Sequence, residues 1–386
     1  MKKRFFFSAV CAAVLVLSSS CEKQDSGGKD PDPSEKETYS SAIYIQNREG
    51  YPIFRIPATV TTKAGTLLCF CEGRQAYDDN GDIDMVVKRS VDRGKTWSPL
   101  TKIADAGTDR YGNPVPVVLD DGTIMLVFGW SVAASSTSTK VFYCKSTDDG
   151  VSWSSPVEIT EQVKTSVRTK YQTGPVHGLV KQFDPHKGRI VIPVYGTSNE
   201  GKPSGIFYSD DNGATWHPGG SVDYAPGGEP TVTERGDGSL IINMRDNDDS
   251  PYRHQAESND GGESWGPARA TALIEPKGCQ GSLLTYRSGT SASTSVILFS
   301  DPNHTSSRRH GSVKLSTDGG ATWNYMYQYT KDSGSDMYSS YSDLMIVNDD
   351  IIGVAYEAGY KNSYGIRFKS FHYKDINEPY TGKDKQ

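Results

Sequence analysis

The segment SDDNGATW at residues 209–216 is one of five copies of the pattern Ser-x-Asp-x-Gly-x-Thr/Ser-Trp, which we call the Asp box. The other copies are SVDRGKTW at 90–97, STDDGVSW at 146–153, SNDGGESW at 258–265 and STDGGATW at 316–323. Their aspartates are 56, 63, 49 and 58 residues apart. Near-regular recurrence of a five-position pattern indicates that the chain is built from a repeated structural unit.

Each Asp box lies between strand-like runs and has the residues of a hairpin turn. Further apolar runs such as TIMLVFGW and RIVIPVYG bring each repeat to about four strands, the size of a propeller blade. We therefore predict an all-β fold, a six-bladed β-propeller with four-stranded antiparallel blades over residues 41–380. The sixth blade lacks the motif and is assigned to 351–373, with SAIYIQN at 41–47 closing the ring. A β-helix is the alternative, but its repeats are much shorter.

The hairpin interpretation assigns structural functions to the motif residues. The tryptophan of each copy is expected to pack beneath the turn, between neighbouring sheets. The five aspartates are expected to hold the turns on the blade exterior and to take no part in chemistry.

The first residues have the pattern of an export signal. A basic start is followed by the apolar run FFFSAVCAAVLVL, which is too short to span a bilayer. This pattern predicts a lipoprotein signal peptide at residues 1–20, with Cys21 lipidated. Ordinary cleavage, with Cys21 a bystander, is the alternative. Residues 21–40 are expected to form a flexible tether, and 381–386 a C-terminal tail. Glu22 stands where an aspartate would favour inner-membrane retention, so we expect an exported, outer-membrane lipoprotein facing the periplasm or the cell surface.

Composition and charge restrict the partners. The chain has 41 basic and 47 acidic residues, a net charge of −6, and is 23% charged and 35% apolar. This is typical of a soluble globular protein, and the absence of a basic field excludes nucleic acid as an expected partner. Beyond residue 40 the cysteines show neither zinc-ligand spacing nor a disulfide framework. We expect no metal or cofactor, and four core thiols at Cys69, Cys71, Cys144 and Cys279.

Three arginines are not required by the repeats. They are Arg55 in YPIFRIPA, Arg245 in LIINMRD and Arg308 in SSRRHGSV. A single arginine is more often a solvated surface charge, but Arg55 and Arg245 lie in apolar strands that would hold them rigidly. Three guanidinium groups from different blades would form a site for one carboxylate.

FRIP at Phe54–Pro57, followed by several Asp boxes, resembles the sialidases (neuraminidases), bacterial members included. These are six-bladed propellers that remove terminal sialic acid. The resemblance extends from about residue 42 to 375. It implies that Arg55, Arg245 and Arg308 bind the substrate carboxylate, with Arg74 as a further arginine of the pocket. It also implies that sialylated glycans are the partners and that no cofactor is needed.

The same resemblance implies three catalytic residues. Tyr341 in YSSYSDLMIV is similar to the tyrosine nucleophile, and Glu229 in APGGEPTVTERG to the glutamate that activates it. Glu234 is the alternative, but it lies beside a Gly-Asp-Gly turn and is expected to be solvated. Asp79 in CEGRQAYDDNGDIDM corresponds best to the general acid/base, and Asp78 stays open.

Two positions depart from the family pattern. Where the family has an aspartate that contacts the rim of the substrate, this sequence has Asn113. The resemblance implies that Asn113 binds substrate, but the change from aspartate to asparagine puts that role in doubt. The family's glycine-rich stretch reads TGPVHGLV, in which His177 either faces the substrate or packs as a structural histidine.

The expected activity is that of an exo-α-sialidase acting on terminal sialic acid of glycoconjugates by a retaining mechanism. Alternatives are an intramolecular trans-sialidase and a non-catalytic propeller that binds sialic acid or protein. No motif in the sequence reports which product is released.

Overall fold

The computed structural model describes residues 36–165, 170–196, 203–224, 226–247, 250–276, 278–359 and 365–384. Within them the secondary structure is almost entirely β, which confirms the all-β class. The exceptions are a single α-helical turn and three 3-10 turns: Thr160–Val163, Ala292–Thr294, Ser335–Met337 and Tyr373–Asp375. In the described part of the chain no helix is long and apolar enough to cross a membrane. The predicted signal peptide and Cys21 lie outside the described residues.

In the ranges that the structure describes, the strands form five hydrogen-bonded sheets, antiparallel throughout except for one bridge. After β1 (Ser40–Ile45), the chain enters an eight-stranded sheet of β2 (Ile53–Thr61), β3 (Leu67–Arg74), β4 (Ile83–Ser90), β5 (Thr101–Ala104), β6 (Arg110–Val118), β7 (Ile124–Ser131), β8 (Lys140–Ser146) and β9 (Val157–Glu158). The next sheet contains β10 (Gln172–Thr173), β11 (Leu179–Val180), β12 (Ile190–Tyr195), β13 (Ser204–Ser209) and β14 (His217–Ser221).

The C-terminal half contains three further sheets. The first consists of β15 (Gly227–Glu234), β16 (Leu240–Asp246), β17 (Tyr252–Ser258) and β18 (Arg269–Ile274). The second consists of β19 (Ser282–Arg287), β20 (Val296–Pro302), β21 (Gly311–Ser316), β22 (Tyr325–Gln328) and β26 (Glu378–Pro379). The third combines β23 (Ser342–Ile346), β24 (Ile351–Ala358) and β25 (Gly365–His372) with β1.

The number of separate blades differs from the prediction. Four sheets are single blades, whereas the eight-stranded sheet joins two antiparallel runs, β2 to β5 and β6 to β9, through one parallel bridge between Ile83 and Arg110. The prediction of six separate blades is therefore wrong as stated. The cause is the short connection after β5, which ends at Ala104, so that β6 begins beside β4 and hydrogen-bonds to it.

The sheets form a propeller arrangement around their inner strands. The strands β2, β6, β12, β15, β19 and β23 contact one another in a closed ring. The ring is completed by β1, which pairs antiparallel with β25 from Ser40 opposite Lys369 to Ile45 opposite Gly365. The prediction that SAIYIQN closes the ring is confirmed.

The five Asp boxes have the same hydrogen bonds. In the copy at 209–216, Asp211 accepts from the Ser209 hydroxyl at 2.8 Å and from the backbone N–H of Thr215 at 2.8 Å. The Gly213 N–H donates to the Ser209 hydroxyl, and this glycine has a φ of +77°, which a side chain would strain. The other four copies repeat these bonds. The motif residues therefore hold the turn.

The tryptophans and cysteines contribute to the core. The Trp97 ring packs edge-on against Phe368 of β25, 5.7 Å between centroids, so this tryptophan lies between neighbouring sheets as predicted. The four predicted core cysteines are all free and buried. In the predicted C-terminal tail, Asp384 accepts hydrogen bonds from the backbone and hydroxyl of Thr305, which fixes this part of the tail to the fold.

Candidate active site

All eight predicted site residues of the propeller line one cavity of about 470 Å³. They come from all parts of the sequence: Arg55, Arg74, Asp79, Asn113, Glu229, Arg245, Arg308 and Tyr341. None of the five Asp-box aspartates lines this cavity. The convergence that spacing alone could not establish is therefore present in the fold.

Bulges in three inner strands direct residues into the cavity. The pairing register shifts between Arg55 and Ala58 in β2, between Gly112 and Val115 in β6, and between Gly228 and Pro230 in β15. An extra residue in one strand bends it and changes the direction of its side chains. Asn113 and Glu229 lie within the bulges of β6 and β15, and Arg55 is the last paired residue before the bulge of β2. Each of the three is a cavity residue.

Two bulged residues have a strained backbone. Ile56 has a φ of +62° and Asn113 a φ of +59°, a region that a β-branched residue rarely adopts. The backbone N–H of each of these residues donates to a buried carboxylate. The Ile56 N–H donates to Glu357 at 2.9 Å, and the Asn113 N–H donates to Glu72 at 2.8 Å. Such strain persists only where its surroundings fix it, and it is common at functional sites.

Tyr341 and Glu229 form the centre of the cavity. The Tyr341 hydroxyl lies 2.7 and 2.8 Å from the two carboxylate oxygens of Glu229, to which it donates. Arg245 Nη1 donates to that hydroxyl at 3.0 Å and to Glu229 at 2.5 Å. Both Tyr341 and Glu229 are about 5% exposed. A phenol with a carboxylate in direct contact has the geometry of a nucleophile with its base.

The resting tyrosine is a neutral phenol. Burial, followed by the charge of Glu229, raises the pKa of Tyr341 well above its usual value, while Arg245, Arg308 and Arg55 act to lower it. The unliganded site therefore keeps the proton on Tyr341, and a phenolate would form only as Glu229 accepts that proton.

Three arginines surround the Tyr341 ring. The guanidinium carbons of Arg55 and Arg308 lie 5.5 and 5.4 Å from the ring centroid, and Arg245 contacts the hydroxyl. Arg308 is held by the hydroxyl of Ser340 at 2.9 Å and the carbonyl of Gly278 at 2.6 Å. These protein contacts fix the direction of each guanidinium group.

Arg55 is held by a buried carboxylate that was not predicted from the sequence. Glu357 in β24 accepts from Arg55 Nε at 3.1 Å and from Nη2 at 3.4 Å, and it is 1% exposed. The signal was available, because a glutamate inside the apolar run IIGVAYEA is as unusual as the arginines in their strands. Burial acts to raise the pKa of Glu357, but Arg55 and the Ile56 N–H outweigh it and lower the pKa.

Asp79 is open to solvent, in contrast to the buried Glu229 and Glu357. Its side chain is 61% exposed and accepts from Arg74 Nη1 at 2.8 Å and from Arg55 Nη1 at 3.1 Å. Burial acts to raise the pKa of Asp79, but the charges of Arg74 and Arg55 lower it. Asp78 is exposed and does not line the cavity, although its carbonyl accepts from Arg74. The geometry thus favours Asp79.

Arg74 and Arg110 are both fixed by Glu72. Arg74 forms an ion pair with Glu72, and Arg110 Nη2 lies 3.6 Å from the same carboxylate. Arg110, which the sequence analysis also missed, lines the cavity and is 3% exposed. Its Nε is buried and has no hydrogen-bond partner among the described residues. Asn113 lies beside it and donates to Gln172 at 3.3 Å.

The two remaining alternatives lie outside the cavity. His177 is buried, with its Nδ1 2.8 Å from Asp343, and lines a separate space of about 230 Å³. It is therefore a packed structural histidine. Glu234 was expected to be solvated, which is wrong: it is 8% exposed and pairs with Lys181 at 2.6 Å, away from the cavity. Across the described ranges, no group of three or more His, Cys, Asp or Glu could hold a metal ion.

Fold and site together define a class of protein: an Asp-box propeller whose inner strands present an arginine-lined cavity with a tyrosine–glutamate pair. The family of BNR repeat-like domains matches residues 65–354. With its relatives below, this match shows that the chain belongs to the BNR-repeat sialidase family.

Curated relatives carry sialidase names. The chain is 31% identical to an exo-alpha-sialidase of Aspergillus fumigatus, over 82% of each chain. It is 30% identical to a sialidase of Bacteroides fragilis, over 84% of this chain and 62% of that one. A sialidase of Micromonospora viridifaciens is 29% identical, over 95% and 59%. The chain thus spans about three fifths of the length of the latter two.

Solved structures share the fold. The Hadza microbial sialidase Hz136 superposes with a TM-score of 0.75 at 27% identity, over 88% of this chain and 69% of that one. A leech intramolecular trans-sialidase has the same TM-score at 19% identity, over 89% and 71%. At that identity the likeness concerns the fold alone.

Proposed function

We propose that the protein is an exo-α-sialidase that releases terminal sialic acid from glycoconjugates with retention of configuration. The observation that carries this proposal is the Tyr341–Glu229 pair, which faces Arg55, Arg245 and Arg308 in one cavity. Relatives named sialidase and exo-alpha-sialidase support it.

The charge of the substrate explains why a phenol suits this site. Sialic acid carries its carboxylate on the anomeric carbon, so a carboxylate nucleophile would meet like-charge repulsion there, whereas a neutral phenol would not. Sialidases are for this reason an exception to the two-carboxylate scheme of glycosidases.

The proposed first step transfers the sugar to Tyr341. The arginines bind the carboxylate and orient the ring. The Tyr341 oxygen attacks the anomeric carbon through an oxocarbenium-like transition state while its proton passes to Glu229. Asp79 donates a proton to the glycosidic oxygen, and the aglycone leaves.

The proposed second step releases the sugar. Asp79, now a carboxylate, takes a proton from water, and the water oxygen attacks the anomeric carbon. The bond to Tyr341 breaks, and Glu229 returns the proton to the phenolate oxygen. Two inversions at one carbon give net retention.

Substrate binding would also prepare Asp79 for its part as an acid. In the unliganded site Arg55 and Arg74 keep its pKa low. A substrate carboxylate that engages Arg55 would compete with Asp79 for the 3.1 Å ion pair. A new negative charge and a weakened partner both raise a carboxyl pKa, so protonation of Asp79 would be coupled to binding.

The test is hydrolysis of a fluorogenic sialoside by the propeller and by Tyr341→Phe. We expect turnover to fall by at least about 10³-fold in the variant, the scale for loss of a nucleophile. Tyr44→Phe is the matched control, because Tyr44 is also buried and its hydroxyl donates to the Cys69 carbonyl, outside the cavity. A Tyr341→Phe variant with more than a tenth of normal turnover would contradict the nucleophile assignment.

Product analysis separates the alternatives. Proton NMR of the first product would show the α-anomer of free sialic acid for retaining hydrolysis and an anhydro sugar for intramolecular transfer. Binding of sialic acid with no turnover by the unsubstituted protein would indicate a non-catalytic propeller.

We further propose that the two runs of the eight-stranded sheet act as two blades. Among the described residues, the Ile83–Arg110 bridge is the one strand pairing between them, and β2 and β6 each form one inner strand of the ring. Counted this way, the described residues form six units, four of them with four strands and two with five.

Export and lipid anchoring also remain proposals. The pattern of residues 1–20 and the position of Cys21 support them. A Cys21→Ala variant is expected to leave the membrane fraction and appear in soluble extracts, whereas unchanged membrane association would contradict lipidation.

A further inference from the structure

The segment Gly278–Cys279–Gln280, just before β19, contacts several groups of the candidate site at once. The carbonyl of Gly278 accepts from Arg308 Nη2 at 2.6 Å. The side chain of Cys279 packs in one buried apolar cluster with Ile56 and Tyr341. The sequence identified Cys279 only as a core thiol and gave no indication for Gly278 or Gln280.

Gln280 holds the peptide that follows the tyrosine. Its Oε1 accepts from the Ser342 N–H at 3.0 Å, and its Nε2 donates to the Ser342 carbonyl at 3.0 Å. The same Nε2 donates to the Gly281 carbonyl at 3.0 Å. Gln280 is 1% exposed, so its amide bonds are made entirely with backbone and fix its orientation.

This contact replaces a missing strand. β23 is an inner strand, and only one of its edges pairs with a neighbour, β24. On that edge the Glu357 N–H donates to the Tyr341 carbonyl at 2.9 Å. On the other edge, the Gln280 amide bonds both polar groups of Ser342 as an adjacent strand would. The backbone at Tyr341 is thereby fixed from both sides.

We propose that Gln280 is a positioning residue for the Tyr341 nucleophile, an inference that rests on the proposed function. Gln280 does not line the cavity and acts through the Ser342 peptide. By fixing that peptide, Gln280 determines the position of the Tyr341 phenol oxygen relative to Glu229 and to the anomeric carbon of the substrate. A displacement of about 1 Å at a reacting group can cost about 10²-fold in rate.

The experiment compares Gln280→Met with Gln255→Met. Methionine keeps the length of the side chain and removes every amide hydrogen bond. Gln255 in β17 is the matched control, because it is also 1% exposed, donates to the Gly320 carbonyl at 3.1 Å and lies outside the cavity. Four quantities are measured for each variant: kcat and KM on a fluorogenic sialoside, the thermal midpoint, and the rate at which a fluorinated sialosyl fluoride labels Tyr341, followed by mass spectrometry.

For Gln280→Met we expect kcat and the labelling rate to fall by about 10- to 100-fold, with KM within about threefold. For Gln255→Met we expect a lower thermal midpoint and unchanged kcat, KM and labelling. Equal kcat losses in the two variants, or a changed KM with normal kcat in Gln280→Met, would overturn the inference.

Failure of the proposed function would look different. An unsubstituted protein with neither turnover nor labelling at Tyr341 overturns both claims, whereas an active protein with an unimpaired Gln280→Met variant overturns this inference alone. If Gln280→Met does not fold, Gln280→Asn replaces it, since it keeps a polar amide but is one methylene too short to hold both groups of the Ser342 peptide. A kcat reduced about threefold or more at unchanged KM supports the inference, and an unchanged kcat contradicts it.

Discussion

Replacing Glu357 with glutamine tests whether a buried carboxylate holds the arginine site together. Glutamine has the same shape, and its oxygen can still accept from the Ile56 N–H. The second carboxylate oxygen of Glu357 accepts from Arg55 Nη2. In the glutamine variant an NH₂ group takes the place of that oxygen, and it cannot accept because it is itself a donor. Arg55 therefore keeps its hydrogen bond to the amide oxygen but loses its buried counter-charge.

The expected loss of stability is about 2–3 kcal/mol. A hydrogen bond to a charged group contributes about 1.5–3 kcal/mol. Full removal of one partner of a buried ion pair costs about 3–5 kcal/mol, but Asp79 still pairs with Arg55 after the substitution. KM should rise several-fold, because Arg55 is no longer held in the direction that the substrate carboxylate requires.

The pH dependence gives a second, independent readout. The folded-state pKa of Glu357 is lowered, so its contribution to stability is fully present above the unfolded-state value of about 4.3 and is lost as pH falls through the folded-state pKa. The free energy of unfolding, measured in urea at pH 7, 5 and 3.5, should therefore differ most at pH 7. The difference between the protein and Glu357→Gln should shrink below about pH 4.3.

Glu234→Gln is the matched control. Glu234 is also a buried carboxylate in an ion pair, with Lys181, but it lies outside the cavity. We expect it to lose stability without a change in KM. A stability difference for Glu357→Gln that stays constant from pH 7 to 3.5, or an equal KM change in the control, would refute the reasoning.

Two further substitutions address individual residues of the cavity. Asp79→Asn should lower kcat/KM for a natural sialoside by at least about 10²-fold and have less effect on an aryl sialoside, whose leaving group needs no proton. Asp78→Asn should change neither in the same rate measurements, and equal impairment would reverse the assignment. Gly278→Ala should raise KM about tenfold, because the new Cβ would lie 2.9 Å from Arg245 Nη2 at a φ of +78°. A KM unchanged in titration of initial rates would contradict that steric argument.

The repeats made most of the fold predictable. Turn chemistry and apolar runs placed the strands, because each Asp box fixes its own hairpin through local hydrogen bonds. The division into sheets was less accessible, because the Ile83–Arg110 bridge depends on the path of a short connection. No residue type in that connection reports whether its flanking strands meet.

The residues that bind substrate were predictable where a charged residue interrupts an apolar strand. The buried carboxylates that hold those residues were not predicted, although they carry the same signal. Arg55 and Arg245 were found in this way, whereas Glu72 and Glu357 carry the same signal and were not considered as partners of arginine. The fate of Glu234 required the structure, since a Gly-Asp-Gly turn beside it suggested solvent and Lys181 is distant in sequence.

Backbone strain and the fixing of the arginines have the same cause in this protein. The bulge at Ile56 turns one N–H out of the strand pairing, and Glu357 accepts that N–H while it also holds Arg55. The bulge in the neighbouring inner strand, β6, is similar. There the N–H of Asn113 donates to Glu72 of β3, and Glu72 also pairs with the cavity residues Arg74 and Arg110. A buried carboxylate is costly unless all its oxygens are satisfied, and here the bulge and the arginine satisfy it together. Truncation of either carboxylate removes the acceptor of one bulge N–H and a buried counter-charge of the arginines at the same time. Single substitutions at Glu357 or Glu72 should therefore impair the cavity, whereas its exposed rim should tolerate change.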